Sequence, residues 1–414
     1  IFLPLDQPQY RLIKSLFSTR KSFDDNTFYD VSNWNLPLAF NIQYKAVKRA
    51  PKLDKNPVKS SKIVFPDLLP GAYAYAFSWD DYQAPKLLQR LLSKKVKVKL
   101  AGEAFFAQTS QGGMSFSSGA VVVPISLEQP ENLLKIITNE SFGLEIPIHS
   151  VTSGLTRQGI DFGSRKMLNI ALPKVLLVGG RGTSQYELGE VWHYLDQHVD
   201  MPVSVTDLDQ LGKLSLASYT HMIWVEGAYK GVSEKTVRKI ESWLSLGGIL
   251  IGQKSAAKWF SDKGWLKASF NSSSDVKSAF ETTGLTYNDQ EALKAKQRIA
   301  GAVFETRLDV SHPLAFGFGS NQLPMFRNSA LIMHQPDKPF ITVASYVKSP
   351  LIAGYTANEL QKLIGGSAAI VSHNFGKGKV IGFATNINFR GVWYGTSRLM
   401  SNAIFMADFI NAQG

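Results

Sequence analysis

The chain has 414 residues, of which 44% are hydrophobic and 11% aromatic, which is enough for packed cores and excludes the intrinsically disordered class. This length exceeds the size at which a single core usually stops growing, so we predict two domains. Lys and Arg outnumber Asp and Glu by 45 to 33, for a net charge of +12, and cysteine is absent. Disulfides, thiolate metal sites and thiol nucleophiles are therefore excluded.

Much of the positive charge lies in one segment. Residues 45–62 contain seven basic residues against the single acid Asp54, and Pro51 and Pro57 interrupt them. This pattern predicts an exposed, solvated loop, with a docking site for an acidic partner as the alternative. No recognition helix, zinc knuckle or ribonucleoprotein motif accompanies it, so we predict no nucleic-acid partner. No run of 18 apolar residues occurs, so we predict no membrane span.

The N-terminal part, residues 1–165, is predicted to be an α/β domain. We expect strands at 35–47, 72–79, 96–101, 120–125 and 144–151, and helices after Asp81 and near 131–138. Strands that alternate with helices predict a mainly parallel sheet. We interpret Asp80 and Asp81 as the helix cap rather than as an acid–base pair. The segment 159–166 is the predicted linker.

Residues 173–414 are predicted to form a second α/β domain, doubly wound and flavodoxin- or amidotransferase-like. Strands are expected at 174–179, 221–226, 249–251, 367–373 and 380–385, and helices at 185–197, 233–246 and 396–410. Between the third and fourth of these strands, residues 266–366 read as an insertion that is partly β or irregular. Both domains together give an α/β protein with two mainly parallel sheets.

Two motifs are weak candidates for chemistry. The glycines at 179–183 follow a strand and precede a helix, where backbone amides can bind an anion, but Gln185 replaces the third glycine of a dinucleotide fingerprint. We favour a tight turn without a nucleotide. Among seven histidines, the pairs His193 with Asp196 and His334 with Asp337 come nearest to ligand spacing. A metal site needs three converging ligands, so we predict none.

The strand-to-helix turn at 251–256 is the place where such folds present a nucleophile. Lys254 occupies its apex and Ser255 follows. A protonated lysine is not a nucleophile, and the serine would need a histidine that the sequence does not place. We therefore predict no catalytic residue in this chain, and an anion-binding role for Lys254. A hydrolase or transferase that uses Lys254 or Ser255 is the alternative.

Because ligands bind beyond the carboxyl ends of parallel strands, we expect the loops after Val178, Val225, Ile251 and Thr385 to converge. Their cations, carboxylate and amides would suit a polar small molecule or a carboxylate-bearing peptide end. Alternatively, these groups satisfy one another and the cleft is vestigial. The candidate ligand-binding residues are Arg181, Glu226, Lys254, Ser255, Asn386, Asn388 and Arg390.

Three segments, 174–180, 247–257 and 376–386, resemble the class I glutamine amidotransferase-like fold. Active members carry a cysteine at the elbow, and a histidine and a glutamate after a late strand. Here Lys254 stands at the elbow, and the late strand leads into Thr385, Asn386 and Asn388. The resemblance implies the fold without amidotransfer.

Further segments, at 3–17, 28–40, 311–319 and 388–399, resemble the region after the peptidase domain in bacterial zinc-carboxypeptidase-related proteins of the M14 type. The ligands of that peptidase domain cannot be carried onto this sequence. The resemblance implies a non-catalytic accessory C-terminal region, with zinc and the peptidase domain upstream of Ile1, and export to the periplasm or the exterior. It makes the upstream peptidase domain the expected partner, and a small-ligand or glycan sensor is a further alternative.

Overall fold

The structure is a computed structural model that describes residues 2–23, 35–52 and 65–414. Its α-helices are α1 (Tyr10–Leu16), α2 (Leu36–Ala39), α3 (Ala84–Ser93), α4 (Leu133–Ser141), α5 (Gln185–His193), α6 (Glu234–Ser245), α7 (Ser255–Asp262), α8 (Ser273–Ser278), α9 (Gln290–Lys296), α10 (Asn358–Ile364) and α11 (Tyr394–Phe405). Its strands are β1 (Ala74–Phe77), β2 (Val98–Ala101), β3 (Phe105–Thr109), β4 (Gly112–Phe116), β5 (Val121–Pro124), β6 (His149–Val151), β7 (Gln158–Gly159), β8 (Met167–Ile170), β9 (Val175–Gly179), β10 (Val203–Asp207), β11 (His221–Trp224), β12 (Ile249–Gln253), β13 (Ala302–Leu308), β14 (Gln322–Arg327), β15 (Thr342–Gly354), β16 (Ala368–Phe375) and β17 (Gly378–Phe383).

The predicted α/β class with two sheets is confirmed, but the sheet of the N-terminal unit is not parallel. Its strands lie in the order β4-β3-β6-β1-β5-β2-β8, with β7 beside β3, and every pairing is antiparallel. Parallel neighbours need a crossover connection, usually a helix, between them. Here the chain passes from β2 to β5 without a helix, and β3 and β4 form a hairpin with a two-residue turn.

Two local predictions for the N-terminal part are corrected. Residues 35–47 were expected to form a strand, but they begin with the short helix α2. Asn35 caps this helix by accepting a hydrogen bond from the Leu38 N–H at 2.9 Å, and Pro37 lies in its first turn, where proline is tolerated. The expected linker at 159–166 lies between β7 and β8, which both belong to the first sheet. The chain therefore crosses to the second sheet at 171–174.

The basic segment is only partly described. Residues 45–52 are exposed and have no regular secondary structure, as predicted for a loop. The remainder of that prediction, at 53–62, lies outside the described residues.

The second sheet is doubly wound over the five strands at one end. Its order is β10-β9-β11-β12-β17-β16-β15-β13-β14, and the strands from β10 to β17 pair in parallel. Counted along the chain, these five strands have the order 2-1-3-4-5 of flavodoxin-like sheets. The remaining pairings are antiparallel, and β13, β14 and β15 come from the predicted insertion. The insertion is therefore partly β, and it extends the sheet on one side.

Helices cover both faces of the parallel strands. Residues that alternate along each strand enter two different cores: Leu177 and Ile223 pack with Leu188 of α5, whereas Leu176 and Met222 pack with Ile240 of α6. Continuous apolar strands that are buried on both sides are typical of parallel sheets. The first of these cores also contains residues of β1 and α3, so one apolar core joins the two units.

Buried polar contacts reinforce this junction. The Trp79 indole N–H donates to Asn402 Oδ1 at 2.8 Å, and the Asn402 amide donates to the carbonyls of Leu314 and Phe316 at 2.8 Å each. Arg398, on the same helix α11, donates to the carbonyl oxygens of Trp79, Asp80 and Asp81. The loop between β1 and α3 is therefore held by α11, the last α-helix of the chain.

Candidate functional site

The site begins at the sharp turn between β12 and α7. Lys254 has φ 52° and ψ −119°, a backbone conformation that non-glycine residues seldom adopt and that is often associated with functional sites. Its N–H donates to the Phe383 carbonyl of β17 at 2.8 Å. A Cβ at Gly252 would lie 2.4 Å from Phe260 and 3.0 Å from the Ala257 nitrogen, so α7 folds back tightly onto the strand. The predicted elbow is therefore present, with a lysine at its apex.

The Lys254 side chain does not extend into solvent. Only 6% of the residue is exposed, and its Nζ lies 2.8 Å from Glu187 Oε1 and 3.1 Å from Glu226 Oε2. Glu187 lies in the first turn of α5 and is 5% exposed, and its Oε2 accepts the Glu226 N–H at 3.1 Å. The three side chains form an ion-paired cluster, which we call the elbow triad; Lys254 and Glu187 are buried in it, whereas the Glu226 side chain is 37% exposed.

The electrostatics of the triad keep the lysine charged. Burial alone lowers the pKa of Lys254, but the carboxylates of Glu187 and Glu226 outweigh burial and raise this pKa above its ordinary value. The amine is therefore protonated at neutral pH and has no lone pair with which to attack an electrophile.

The hydroxyl group of Ser255 is also held by hydrogen bonds. Its Oγ donates to the Gly227 carbonyl at 2.8 Å and accepts the Gly227 N–H at 2.8 Å. A catalytic serine instead needs a base that accepts its proton. The hydroxyl group of Ser255 thus joins the start of α7 to the loop after β11.

The glycine loop after β9 is a closed turn. The Gly180 carbonyl accepts hydrogen bonds from the Thr183 hydroxyl and from the Gln185 amide, each at 2.9 Å. A Cβ at Gly180 would lie 2.5 Å from Asp207 Oδ1, so the Asp207 carboxylate lies next to the loop. Its negative charge would repel a phosphate bound at this position. Arg181 is exposed, and within the described residues its side chain forms no hydrogen bond or ion pair. The structure does not bring Arg181 into the elbow triad.

A second cluster surrounds Glu190, one helical turn after Glu187. Its Oε2 accepts the Asn386 amide at 2.5 Å, and its Oε1 accepts the Arg390 N–H at 2.6 Å. Burial raises the pKa of Glu190, and these two hydrogen bonds act in the opposite direction. Asn386 also accepts the Asn388 N–H at 2.9 Å. The loop after β17 is therefore fixed to α5.

Between these clusters lie buried amides with unused hydrogen-bonding capacity. Gln253 accepts the Ile387 N–H at 2.8 Å through Oε1, but its Nε2 has no partner among the described residues. The same is true of Asn388 Oδ1 and Nδ2, although only 1% of that residue is exposed. Buried polar atoms are nearly always hydrogen-bonded, so this position has the chemistry to hold a water molecule or a polar ligand group.

The structure thus brings together most, but not all, of the predicted residues. Lys254 pairs with Glu226, and Ser255 bonds to the neighbouring Gly227 backbone. The loop that carries Asn386, Asn388 and Arg390 is bonded to Glu190 and Gln253. The residues that the sequence analysis missed are Glu187, Glu190 and Gln253. Glu187 and Glu190 are separated by three positions on one helix face, which is the signal that could have identified them. Acidic residues at the start of a helix are, however, usually explained by the helix dipole.

Three or more His, Cys, Asp or Glu residues do not gather in any group suited to a metal ion within residues 2–23, 35–52 and 65–414. Over the same ranges, each helix is too short or too polar to cross a bilayer.

Comparison with known proteins gives a likeness of fold. No protein-family model and no curated protein matches the chain. Among solved structures, a protein from Parabacteroides merdae assigned as ThuA-like has 11% identity and a TM-score of 0.38, over 58% of this chain and 92% of that one. A protein from Thermoplasma acidophilum assigned as one of the subunits of GMP synthase has 10% identity and a TM-score of 0.35, over 56% and 92%.

A β-galactosidase from Bacillus circulans has 12% identity and a TM-score of 0.33, over 56% of this chain and 30% of that one. The doubly wound description of this chain rests on its own strand order. These comparisons provide no evidence for the expected M14 relationship.

Proposed function

We propose that this chain is a non-catalytic accessory region in which the doubly wound domain has a structural lysine in place of an elbow nucleophile. The observation that supports the proposal is the pairing of Lys254 Nζ with Glu187 at 2.8 Å and with Glu226 at 3.1 Å. A nucleophilic lysine needs a lowered pKa, which arises from desolvation or a neighbouring cation. Two neighbouring carboxylates produce the opposite effect.

The larger protein that this region would assist is, in our proposal, an exported zinc carboxypeptidase of the M14 type, with its metal in a separate peptidase domain. This part rests on the resemblance of the segments at 3–17, 28–40, 311–319 and 388–399. It predicts that the chain binds the peptidase domain encoded by the same reading frame. Binding measured by calorimetry, with peptidase activity in the presence and absence of the chain, tests it.

The test of the non-catalytic proposal is chemical labelling. We expect a fluorophosphonate and an activated ester to leave Lys254 and Ser255 unmodified under conditions that label exposed lysines such as Lys230, as measured by peptide mass spectrometry. Covalent modification of Lys254 or Ser255 ahead of exposed residues would instead support a hydrolase or transferase.

A second candidate function is the binding of a polar ligand at the carboxyl edge of the sheet. The unpaired amide atoms of Gln253 and Asn388 favour it, because a ligand could supply the missing partners. Asn388→Leu removes two of these atoms. If the site binds a ligand, this variant loses the increase in melting temperature that a screen of amino acids and sugars detects for wild type.

A further inference from the structure

A cavity lined by Lys258 of helix α7 shares no lining residue with the elbow triad. It has a volume of about 570 Å³ and lies between α7, α8, the end of α9 and the segment after β14. Ligand pockets generally fall between about 300 and 1,000 Å³, so this cavity can take a small molecule. Its wall contains Asn271, which is 6% exposed and bonds to the Ala330 carbonyl and to the Ile332 N–H.

The lining of this cavity is strongly basic. Its charged residues are all cations, namely Lys258, Lys277, Lys294 and Arg298. Lys258 pairs with Asp262 one helical turn away, an exposed pair that is readily opened. Lys277, Lys294 and Arg298 form no ion pair with the described residues. Asp275, on the same helix as Lys277, accepts the Ser272 N–H in the capping box at the start of α8. The positive charge of the wall is thus poorly compensated.

A fifth cation, Arg327, is bonded to residues that line the cavity. Arg327 is 0% exposed, and its Nη2 donates to the carbonyls of Ser329 at 3.1 Å and of Leu331, both of which line the cavity. Its Nε and Nη1 have no hydrogen-bond partner among the described residues. The guanidinium group packs 4.9 Å from the centre of the Tyr346 ring. A buried cation with unused donors and no carboxylate partner in the described chain adds to the positive potential at this wall.

We propose that this cavity binds a small polyanion, a molecule with at least two phosphate or carboxylate groups. Lys277 of α8, and Lys294 and Arg298 in and just after α9, can supply charge-assisted hydrogen bonds from two sides, and such bonds are about twice as strong as neutral ones. Val276 and Leu331 provide an apolar surface for the body of the ligand. The cations surround a concave volume rather than a flat stripe, which favours a small ligand over a nucleic acid.

The test is isothermal titration calorimetry of the whole chain with tripolyphosphate and with citrate, at low salt and at about 1 M salt, where the screening length falls to about 3 Å. We expect binding at low salt that weakens at high salt. Lys277→Gln and Arg298→Gln should each weaken it by about 10-fold, as expected when a charge-assisted hydrogen bond is lost. Arg298→Lys should retain most of the affinity.

The matched control is Lys296→Gln, which removes the same charge from helix α9 but does not line the cavity. This variant should bind within about twofold of wild type, since Lys296 is not one of the lining residues that would donate to the ligand. Melting temperatures of all variants check that folding is intact. The proposal is overturned if wild type binds neither probe, if Lys296→Gln weakens binding as much as Lys277→Gln, or if only an oligonucleotide binds.

Discussion

Replacing Lys254 by alanine should destabilise the protein strongly. The substitution leaves Glu187, which is 5% exposed, without its cation at 2.8 Å. Removing one partner of a buried ion pair typically costs about 3–5 kcal/mol, because the remaining charge is uncompensated. We therefore expect Lys254→Ala to lower the free energy of unfolding by about 3 kcal/mol or more. Lys254→Ala combined with Glu187→Gln should recover part of this loss, since the buried unpaired charge is removed and the remaining carboxylate, Glu226, has a side chain that is 37% exposed.

The backbone at this position supplies a second, independent comparison. Lys254 has a positive φ of 52°, and such strain costs about 1–3 kcal/mol in residues other than glycine. Lys254→Gly loses the same ion pairs as Lys254→Ala but relieves the strain. The Lys254→Gly variant should therefore be more stable than the Lys254→Ala variant by about 1 kcal/mol. In helices alanine is normally the more stabilising of the two residues.

Urea unfolding followed by tryptophan fluorescence measures these differences. Lys258→Ala is the control, because it removes a lysine of the same helix whose pair with Asp262 is exposed, and it should cost less than about 0.5 kcal/mol. The reasoning is refuted if Lys254→Ala costs no more than this control, or if Lys254→Gly is less stable than Lys254→Ala.

Three further predictions concern pH, the junction of the units and the elbow serine. Burial lowers the pKa of His221 to about 4 from 6.5, so the neutral imidazole contributes its full stability above pH 6.5, and this contribution is lost as the pH falls towards 4. Between pH 7 and pH 5, the free energy of unfolding of wild type should therefore fall by about 2 kcal/mol more than that of His221→Asn. Equal losses for the two proteins in urea unfolding would contradict this. Asn402→Ala leaves the Trp79 indole N–H and two carbonyls unpaired. Thermal unfolding should show a loss of about 3 kcal/mol in the free energy of unfolding. A loss below about 1 kcal/mol would argue against a buried junction. Ser255→Ala should cost about 1–2 kcal/mol through the lost contacts with Gly227 and change no hydrolytic rate, and a lost activity would instead indicate a catalytic serine.

The sequence predicted the doubly wound domain well because its signals are local. Apolar runs that end in glycine or in a polar residue marked β9, β11 and β12, and Ser184 and Ser233 cap the helices that follow. The elbow at Lys254 was located because a strand passes directly into a helix there. Strand β10 was missed, since it lies at the edge of the sheet and only Thr206 of its five residues is buried, so it lacks the apolar run of its neighbours.

The N-terminal sheet was harder to predict because pairing direction depends on connections rather than on strand composition. The hairpin of β3 and β4 contains polar and small residues at 108–115 and reads as a loop. Without these two strands, the remaining pattern imitates alternating strands and helices. The place of β8 in the first sheet depends on tertiary contacts that the sequence does not show. This strand follows the predicted linker, yet it pairs with β2.

The candidate site was predictable in position but not in its internal pairing. The rule that loops converge at the carboxyl edge correctly brought together Glu226, Lys254 and Ser255. It could not show that Glu187 and Glu190 of α5 reach the same edge, because that depends on how the helix packs against β9 and β11.

The central claim is that Lys254 is a structural residue that stays charged at neutral pH and is not a nucleophile. Its most direct test is an NMR titration of the lysine Nζ groups, with the Lys254 signal assigned by its absence in Lys254→Arg. The account predicts that Lys254 titrates above the ordinary lysine pKa of 10.5, because Glu187 and Glu226 outweigh the effect of burial. A Lys254 signal that titrates below those of the exposed lysines would contradict the account and make the elbow amine available for covalent chemistry.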